Sequence, residues 1–192
     1  MGIREEQKDI RRNEIIEVAL DLFIRKGYAA TKITDIAKGV GMSTGLLFHY
    51  FKSKENLYEE LIKNALKGPN SIMDDKGMDP LIYFEVITKQ LFRLIKERPS
   101  FSKYFVLINQ AHYNESAPEC VKRIINEFDI FKFTAEIIKK GQERDEIKEG
   151  NPLALGIAFW CAINGIAEQI SKNPHYPCPE SEWIVDIIRK IK

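Results

Sequence analysis

The stretch TKITDIAKGVGMSTGLLFHYFKSK, residues 31–54, decides how the first part of this chain folds. It contains two short apolar patterns with helical spacing, separated by a glycine. Ala37 is the small residue that two crossing helices need, and Gly41 is a turn residue that tolerates positive φ. Five apolar residues around the turn are expected to fix the crossing angle: Ile36, Val40, Met42, Leu47 and Tyr50. The stretch therefore predicts a helix-turn-helix.

The same region is more basic than the rest of the chain. Between Arg25 and Lys54 six residues are basic and one, Asp35, is acidic, a local balance of +5, whereas the whole chain nets +1. Most charge clusters of this kind are simply solvated surface. Next to a helix-turn-helix, however, the cluster favours binding to the phosphates of double-stranded DNA.

Composition limits the other classes of protein. With 192 residues, 44% hydrophobic and 30% charged, the chain has the composition of a soluble globular protein. Its three cysteines form no CxxC pair and its three histidines lie far apart, so we expect neither a disulfide framework, nor a metal site, nor a cofactor. The polar N-terminus predicts no signal peptide, which favours a cytoplasmic protein. The apolar run 153–167 is shorter than the roughly 20 residues that cross a bilayer, so it predicts a buried helix and no membrane contact.

Helical periodicity dominates the chain, so the predicted fold class is all-α. The predicted helices span residues 8–26, 33–39, 44–51, 54–66, 80–98, 100–113, 118–140, 153–172 and 180–190. Gly27 is expected to cap the first helix. Gly68 and Pro69 are expected to end the fourth, which places a domain boundary between residues 67 and 68.

At this point the sequence resembles the TetR family of bacterial transcriptional regulators. The resemblance covers roughly residues 10–66. Four groups of residues carry it: Ala19, Leu22, Phe23, Gly27 and Tyr28; Thr31, Asp35, Ile36 and Ala37; Gly41, Met42 and Ser43; and Leu47 to Glu55 with Leu57. It implies a three-helix DNA-binding domain at 8–67, followed at 68–192 by a larger helical domain for effector binding and dimerisation. It also implies a ligand-responsive repressor that binds a palindromic operator as a homodimer.

The geometry of a helix-turn-helix assigns roles to individual residues. Its second helix enters the major groove with its N-terminal residues at base edges. Thr44, Gly45 and Leu46 hold those positions, where Thr44 can hydrogen-bond a base and Leu46 can contact a thymine methyl. Four further side chains near helix starts suit phosphate oxygens: the hydroxyls of Thr31, Thr34 and Ser43 and the ammonium of Lys54.

The family resemblance adds four residues to the predicted DNA-binding surface. His49 and Tyr50 occupy positions at which the family commonly contacts the DNA backbone. Phe48 stands where tyrosine is usual and lacks its hydroxyl, while Lys32 replaces a frequent serine or threonine and can reach a phosphate instead. Each assignment has a structural alternative: Ser43 can be only a helix cap, Tyr50 can pack in the core, and His49 can be solvated.

The second part of the chain is expected to supply the homodimer interface and the effector pocket. Small residues on the 153–172 helix, together with the last helix, predict the interface: Ala154, Ala158, Phe159, Ala162, Gly165, Trp183 and Ile187. The resemblance implies an apolar pocket with a few polar groups, which we assign to Phe84, Phe92, Tyr104, Phe105, Asn109, His112, Phe128, Phe131 and Asn164. An aromatic stripe is more often core, and the interface helix could equally be the core of a monomer. The predicted effector is an apolar or aromatic small molecule.

The sequence fits other classes of protein less well. No nucleophile elbow, P-loop or dinucleotide-binding motif occurs, so no catalytic residue is predicted and an enzyme is not expected. A helical protein-interaction module, or a small-molecule-binding protein that does not bind DNA, remains the alternative. Neither requires a basic cluster beside a helix-turn-helix.

Overall fold

The computed structural model describes residues 3–72, 77–127 and 129–191 of the chain. The helices in these ranges are α1 (Ile3–Ala30), α2 (Ile33–Gly39), α3 (Thr44–Phe48), α4 (Lys54–Ile72), α5 (Pro80–Glu97), a 3-10 turn (Pro99–Phe101), α6 (Ser102–Tyr113), α7 (Glu119–Asn126), α8 (Ile130–Glu143), α9 (Pro152–Lys172) and α10 (Ser181–Val185). The predicted all-α fold class is confirmed. Extended pairing in the described part is limited to one antiparallel bridge between Ile147 and Arg189.

The chain divides into two compact units. One comprises Met1–Lys67 and Leu107–Asn126, and the other Gly68–Val106 and Glu127–Lys192. The first unit therefore takes in residues 107–126, which the sequence analysis assigned to the second domain. How DNA binding, effector binding and dimerisation are divided between the units stays a prediction.

The first unit is built on apolar residues from α1 to α4. Ile15, Leu20 and Phe23 of α1 are buried together with Leu57 and Leu61 of α4. Residues 107–126 belong to the same unit, and within it the Gln110 side chain donates a hydrogen bond to the Ile24 carbonyl at 3.1 Å. Gly27 interrupts α1 with a φ of 76°, a region that glycine occupies without steric cost, next to the position where the first helix was predicted to end.

The second unit has a core formed by helices α5, α8, α9 and α10. Aromatic side chains fill its centre, with the rings of Phe84 and Phe159 packed edge to face at a centroid separation of 4.9 Å. The C-terminal segment is held by the Ile147–Arg189 bridge, where the Lys148 amide donates to the Ile188 carbonyl at 2.9 Å. The core contacts α9 along one side only, so the opposite face of this helix is exposed.

Three predicted helix boundaries were wrong. The fourth helix continues through Gly68 and Pro69 to Ile72. The predicted 118–140 helix is two helices, because Asp129 caps a new start by accepting hydrogen bonds from the amides of Phe131 and Lys132, both at 3.1 Å. The last helix is a short segment followed by a turn.

Among the described helices, α9 is long and apolar enough to cross a membrane by length and composition alone. The core helix of a globular protein meets the same test. Six residues of α9 are buried within the second unit, among them Phe159 and Ile163, which fits a core helix.

Candidate DNA-binding surface

The helix-turn-helix forms as predicted, with α2 and α3 held by a small apolar centre. Ile36, Ala37 and Leu47 are almost completely buried. The Met42 amide donates to the Ala37 carbonyl at 2.9 Å, and Gly41 takes a φ of 65°. The frame therefore fixes the direction of α3.

Ser43 caps α3, as one of its two predicted roles requires. Its side-chain oxygen accepts a hydrogen bond from the Leu46 amide at 3.2 Å. The hydroxyl hydrogen is not used in that contact, since the oxygen acts as the acceptor. Ser43 is exposed, so it can cap the helix and still donate to a phosphate.

The solvent-facing side of α3 carries large apolar groups. Leu46 is 45% exposed and Phe48 is 48% exposed, whereas Leu47 between them is fully buried. Gly45 and His49 are exposed, and Thr44 and Tyr50 are half-buried. The predicted base-reading residues thus lie at the surface around one short helix. Lys32 and Thr34, at the start of α2, are exposed as well.

Thr31 has a different role from the one predicted. Its side chain is only 1% exposed, and its hydroxyl donates to the Gly27 carbonyl at 2.7 Å, with the Leu22 carbonyl at 3.2 Å. The prediction of a phosphate contact from this hydroxyl is therefore wrong. Thr31 instead satisfies backbone carbonyls where α1 is interrupted at Gly27.

Lys54 makes contacts within the first unit that the sequence did not predict. Its ammonium donates to the carbonyls of Tyr28 and Thr31, at 2.9 and 3.1 Å. The same nitrogen lies 4.2 Å from the centroid of the Tyr28 ring. We call these contacts the Lys54 clamp, because they tie the start of α4 to the chain segment that precedes α2.

Tyr28 completes the clamp from the other side, and the sequence analysis treated it only as part of a connector. Its hydroxyl donates to the Glu55 carboxylate at 2.8 Å. Burial and the neighbouring carboxylate both raise the pKa of Tyr28, and burial raises the pKa of Tyr58 beside it to about 12. Glu55 has a lowered pKa, first because of its backbone amide and then because of the Tyr28 hydroxyl. Both tyrosines therefore remain neutral at ordinary pH.

Part of the positive charge of residues 25–54 is engaged in contacts within the protein. Lys26 pairs with Asp35 at 2.8 Å, and this hydrogen bond is the main reason that the pKa of Asp35 is lowered. Lys32, Lys38 and Lys52 are exposed. Arg25 is exposed as well, so four cations of residues 25–54 remain in solvent after the clamp and the Lys26–Asp35 pair are taken out.

In the second unit, α9 presents an apolar face to solvent. Ala154, Ala158 and Gly165 are exposed, as the predicted interface requires, and Ala162 is half-buried. The sequence analysis missed Leu153 and Ile157, which are 41% and 42% exposed, although their spacing of four residues is a helical signal. On α10, Trp183 is 65% exposed, while Ile187, in the turn after α10, packs partly against the core.

Phe159 does not belong to this face. It is fully buried, with its ring against Phe84 and, at 5.5 Å, against Trp160. Its assignment to the interface was wrong, because successive helical residues point about 100° apart and Phe159 follows Ala158 directly.

The residues predicted for the effector pocket fall into three groups. Phe84, Phe92 and Phe105 are buried in the core of the second unit, with Phe131 packed against it, while Tyr104 and Asn164 are half-buried. Asn109 and His112 belong to the first unit, where His112 borders a shallow pocket of about 250 Å³ and desolvation lowers its pKa. Phe128 lies outside the described residues. Their role as effector ligands stays a prediction.

Comparisons with known proteins agree with this geometry. The family described as bacterial regulatory proteins, tetR family, matches residues 15–61. The transcriptional repressor KstR2 of Mycobacterium tuberculosis is 42% identical over 60 residues, which are 31% of this chain and 30% of that protein. The match thus spans less than a third of that repressor's length.

Two longer similarities extend over most of the chain. YfiR of Bacillus subtilis, described as an HTH-type transcriptional regulator, is 25% identical over 169 residues, covering 84% of this chain and 80% of that one. The crystal structure of AibR in complex with isovaleryl coenzyme A and operator DNA is 19% identical, with a TM-score of 0.65, and covers 92% of this chain and 94% of that chain. At this identity the structural likeness concerns the fold. The helix-turn-helix region thus matches the tetR family of bacterial regulatory proteins over residues 15–61, and over most of the chain the likeness is one of all-helical fold.

Proposed function

We propose that this chain is a transcriptional repressor that binds a palindromic DNA operator as a homodimer and is released by an apolar small molecule. The observation that carries the proposal is the rigid frame of Ile36, Ala37 and Leu47, which holds α3 with Leu46 and Phe48 in solvent. Exposing two large apolar side chains on a five-residue helix is costly unless a partner covers them. The bases of a major groove, with their thymine methyl groups, provide such a partner.

The proposed contacts follow from exposure. Thr44, Gly45 and Leu46 read base edges, while Phe48, His49 and Tyr50 lie along the groove wall. Lys32, Thr34 and Ser43, at the starts of α2 and α3, contact phosphates. Lys54 contributes mainly by fixing α4, because two of its three ammonium hydrogens are directed at backbone carbonyls.

Dimerisation is proposed through the exposed face of α9. A helix face lined by Ala154, Ala158 and Gly165 allows a second helix to approach closely, and Leu153 and Ile157 add apolar area beside it. A two-fold dimer places two copies of α3 about one turn of DNA apart, as a palindromic operator requires.

The effector is proposed to be a small molecule that carries an apolar acyl group. The aromatic composition of the second unit favours an apolar ligand, and the similar structure of AibR holds isovaleryl coenzyme A together with operator DNA. Release would follow if the ligand binds better to a dimer whose two α3 helices no longer match the groove spacing.

The test starts from DNA selection. The full-length protein selects duplexes from a random library, and fluorescence anisotropy then measures the dissociation constant of the enriched duplex in rising KCl. We expect a two-fold symmetric site and a steep loss of affinity with salt. Addition of isovaleryl coenzyme A, with free coenzyme A as the control, then tests release. Failure to enrich any duplex would contradict DNA binding and favour the alternative of a small-molecule-binding protein.

A further inference from the structure

Trp160 of α9 carries a buried polar group that its surroundings leave unpaired. The side chain is 5% exposed and belongs to the core of the second unit. Its indole nitrogen Nε1 can only donate a hydrogen bond, and it makes none with any residue that the structure describes. Buried donors are paired in the great majority of cases, because an unpaired N–H group loses its hydration without compensation. The indole N–H therefore requires an acceptor from outside the described part of the chain.

Other buried polar side chains of the second unit find their partners within their own helices. The Thr88 hydroxyl donates to the Phe84 carbonyl at 2.7 Å, and the Thr134 hydroxyl donates to the Ile130 carbonyl at 2.8 Å. Such bonds to the preceding turn are common for buried threonine, and they use the single hydrogen of the hydroxyl. An indole at the surface of a helix cannot reach its own backbone in this way, so the position of Trp160 does not explain its unpaired donor.

A second polar side chain lies one helical turn from Trp160. Asn164 follows it by four residues, about 6 Å along the axis, so both side chains lie on the same side of α9. Asn164 is half-buried, and within the described part of the chain its carboxamide makes no hydrogen bond. One turn before Trp160, Gly156 packs so closely on α8 that an added Cβ would lie 3.0 Å from the Thr134 hydroxyl oxygen. The pair of polar groups thus runs along α9 from the contact with α8 towards solvent.

Apolar groups lie next to these two polar side chains. The ring of Phe159 is 5.5 Å from that of Trp160 and nearly perpendicular to it, and the core also contains Ile163 and Ala167. A ligand that meets the indole N–H here must combine an acceptor oxygen with apolar surface, because an unpaired charge is strongly disfavoured in such surroundings. An acyl group has this composition, since its carbonyl oxygen accepts a hydrogen bond and its carbon chain is apolar.

We infer that Trp160 recognises the carbonyl oxygen of an acyl effector by donating a hydrogen bond from Nε1, with Asn164 as a polar contact one turn away. The inference rests on the proposed function, because it names the atom through which the acyl group of that effector is recognised. A site that donates to a ligand oxygen discriminates against an analogue that lacks the oxygen. Trp160 thus determines the chemical class of the effector.

The test combines one change of side chain with one change of ligand. Trp160→Phe removes the N–H group and keeps an aromatic ring. The ligands are isovaleryl coenzyme A and its thioether analogue S-isopentyl coenzyme A, which has the same carbon skeleton but no carbonyl oxygen. Isothermal titration calorimetry measures both dissociation constants with the full-length protein. Trp183→Phe is the matched control, because it makes the same substitution at a side chain that is 65% exposed.

The preference for the thioester is the quantity to compare. We expect the wild-type protein to bind the thioester about fivefold more tightly than the thioether, because one hydrogen bond distinguishes them. Trp160→Phe should bind the two ligands equally well, whatever the smaller ring does to both affinities. Trp183→Phe should keep the fivefold preference. Circular dichroism and sedimentation check that both variants are folded and associate as the wild-type protein does.

A second measurement does not depend on the stability of Trp160→Phe. The chain contains two tryptophans, so Trp183→Phe leaves Trp160 as the only one. A hydrogen bond from the indole N–H moves tryptophan emission to longer wavelength, because the excited indole is the stronger donor. We expect isovaleryl coenzyme A to shift the emission of Trp160 in this direction and the thioether to leave it unshifted.

Several results would overturn the inference. Equal affinities of the wild-type protein for the two ligands would do so, as would a preference that survives in Trp160→Phe and disappears in Asn164→Leu. Dissociation of Trp160→Phe into monomers without ligand would assign the acceptor to a second copy of the chain instead.

The inference and the proposed function fail separately. If neither ligand binds while the protein still selects a symmetric duplex, the role of Trp160 is refuted and DNA binding stands. If the thioester is preferred but no duplex is selected, the recognition by Trp160 stands and the proposed repressor function is refuted.

Discussion

Replacing Lys54 by methionine tests whether this residue acts mainly as a clamp or mainly as a phosphate ligand. Methionine keeps an unbranched apolar stem but removes the ammonium. The substitution therefore eliminates two hydrogen bonds, of 2.9 Å to Tyr28 and 3.1 Å to Thr31, and the cation over the Tyr28 ring at 4.2 Å.

The expected loss of stability follows from these contacts. A hydrogen bond from a charged donor contributes about 1.5–3 kcal/mol when buried, and a cation over a ring adds about 0.5–1 kcal/mol at exposed sites. The low ends of these ranges sum to about 3.5 kcal/mol, but Lys54 is only half-buried and the carbonyls that it leaves can be rehydrated, so the net loss is smaller than this sum. We expect Lys54→Met to lower the free energy of unfolding by about 2 kcal/mol. The control Lys63→Ala loses an exposed i,i+4 pair and should cost about 0.3–0.5 kcal/mol.

Urea unfolding without DNA, followed by circular dichroism, measures the difference directly. With a urea dependence of about 2 kcal/mol per molar, the midpoint of Lys54→Met should fall by about 1 M relative to the wild-type protein. DNA binding is then measured on protein that is still folded, and its salt slope should change little. An unchanged midpoint, combined with a slope shallower by about 1.8 for a dimer, would refute the clamp and restore Lys54 as a phosphate ligand.

Three further predictions concern other parts of the molecule. Ala158→Arg places a charge on the exposed face of α9 and should produce monomers in sedimentation experiments. The adjacent Phe159→Ala should instead lower the free energy of unfolding by about 3–5 kcal/mol, because Phe159 is buried. A dimeric Ala158→Arg variant would refute the α9 interface. Thr44→Ala should weaken binding to the selected duplex by about 1 kcal/mol and relax the base preference at one position of each half-site, as a repeated selection would show. Asp129→Ala removes the cap of α8 and should cost about 1 kcal/mol at pH 7. Hydrogen bonds from backbone amides lower the pKa of Asp129 in the folded protein. The stabilisation by Asp129 is therefore fully present above its unfolded pKa and is lost as the pH falls through its folded pKa. Equal stability of Asp129→Ala and the wild-type protein at pH 7 would contradict the cap.

The helix-turn-helix was predictable because its signals are local. Gly27 and Gly41 mark positions where only glycine adopts positive φ easily, and Ile33, Ile36 and Ala37 follow helical spacing. Ser43 was recognisable as a cap for the same reason. Each of these signals depends on residues fewer than ten positions apart, so a single sequence contains the information.

The errors have a different origin, since they depend on contacts that are distant in sequence. Thr31 carries a hydroxyl that suits a phosphate, but the chain turns it towards the carbonyls of Leu22 and Gly27. The contacts of Lys54 with the carbonyls of Tyr28 and Thr31 also join residues more than 20 positions apart, so the sequence did not predict them. Phe159 has the composition of an interface residue, and only the direction of α9 over its core shows that it faces inward. Asp129 could have been found, because an aspartate before an apolar helical pattern is a start signal.

The position of charge, rather than its amount, explains how this surface would read DNA. Lys26 is neutralised by Asp35 and Lys54 is directed at carbonyls, so part of the +5 balance of residues 25–54 stabilises the fold. The cations that remain lie around α3, while the exposed part of α3 itself is apolar at Leu46 and Phe48. Because phosphate contacts are independent of sequence and apolar contacts depend on thymine methyl groups, this arrangement separates affinity from specificity. Exchanging Phe48 for a polar residue should therefore change which sequences are bound more than how strongly DNA is bound in general.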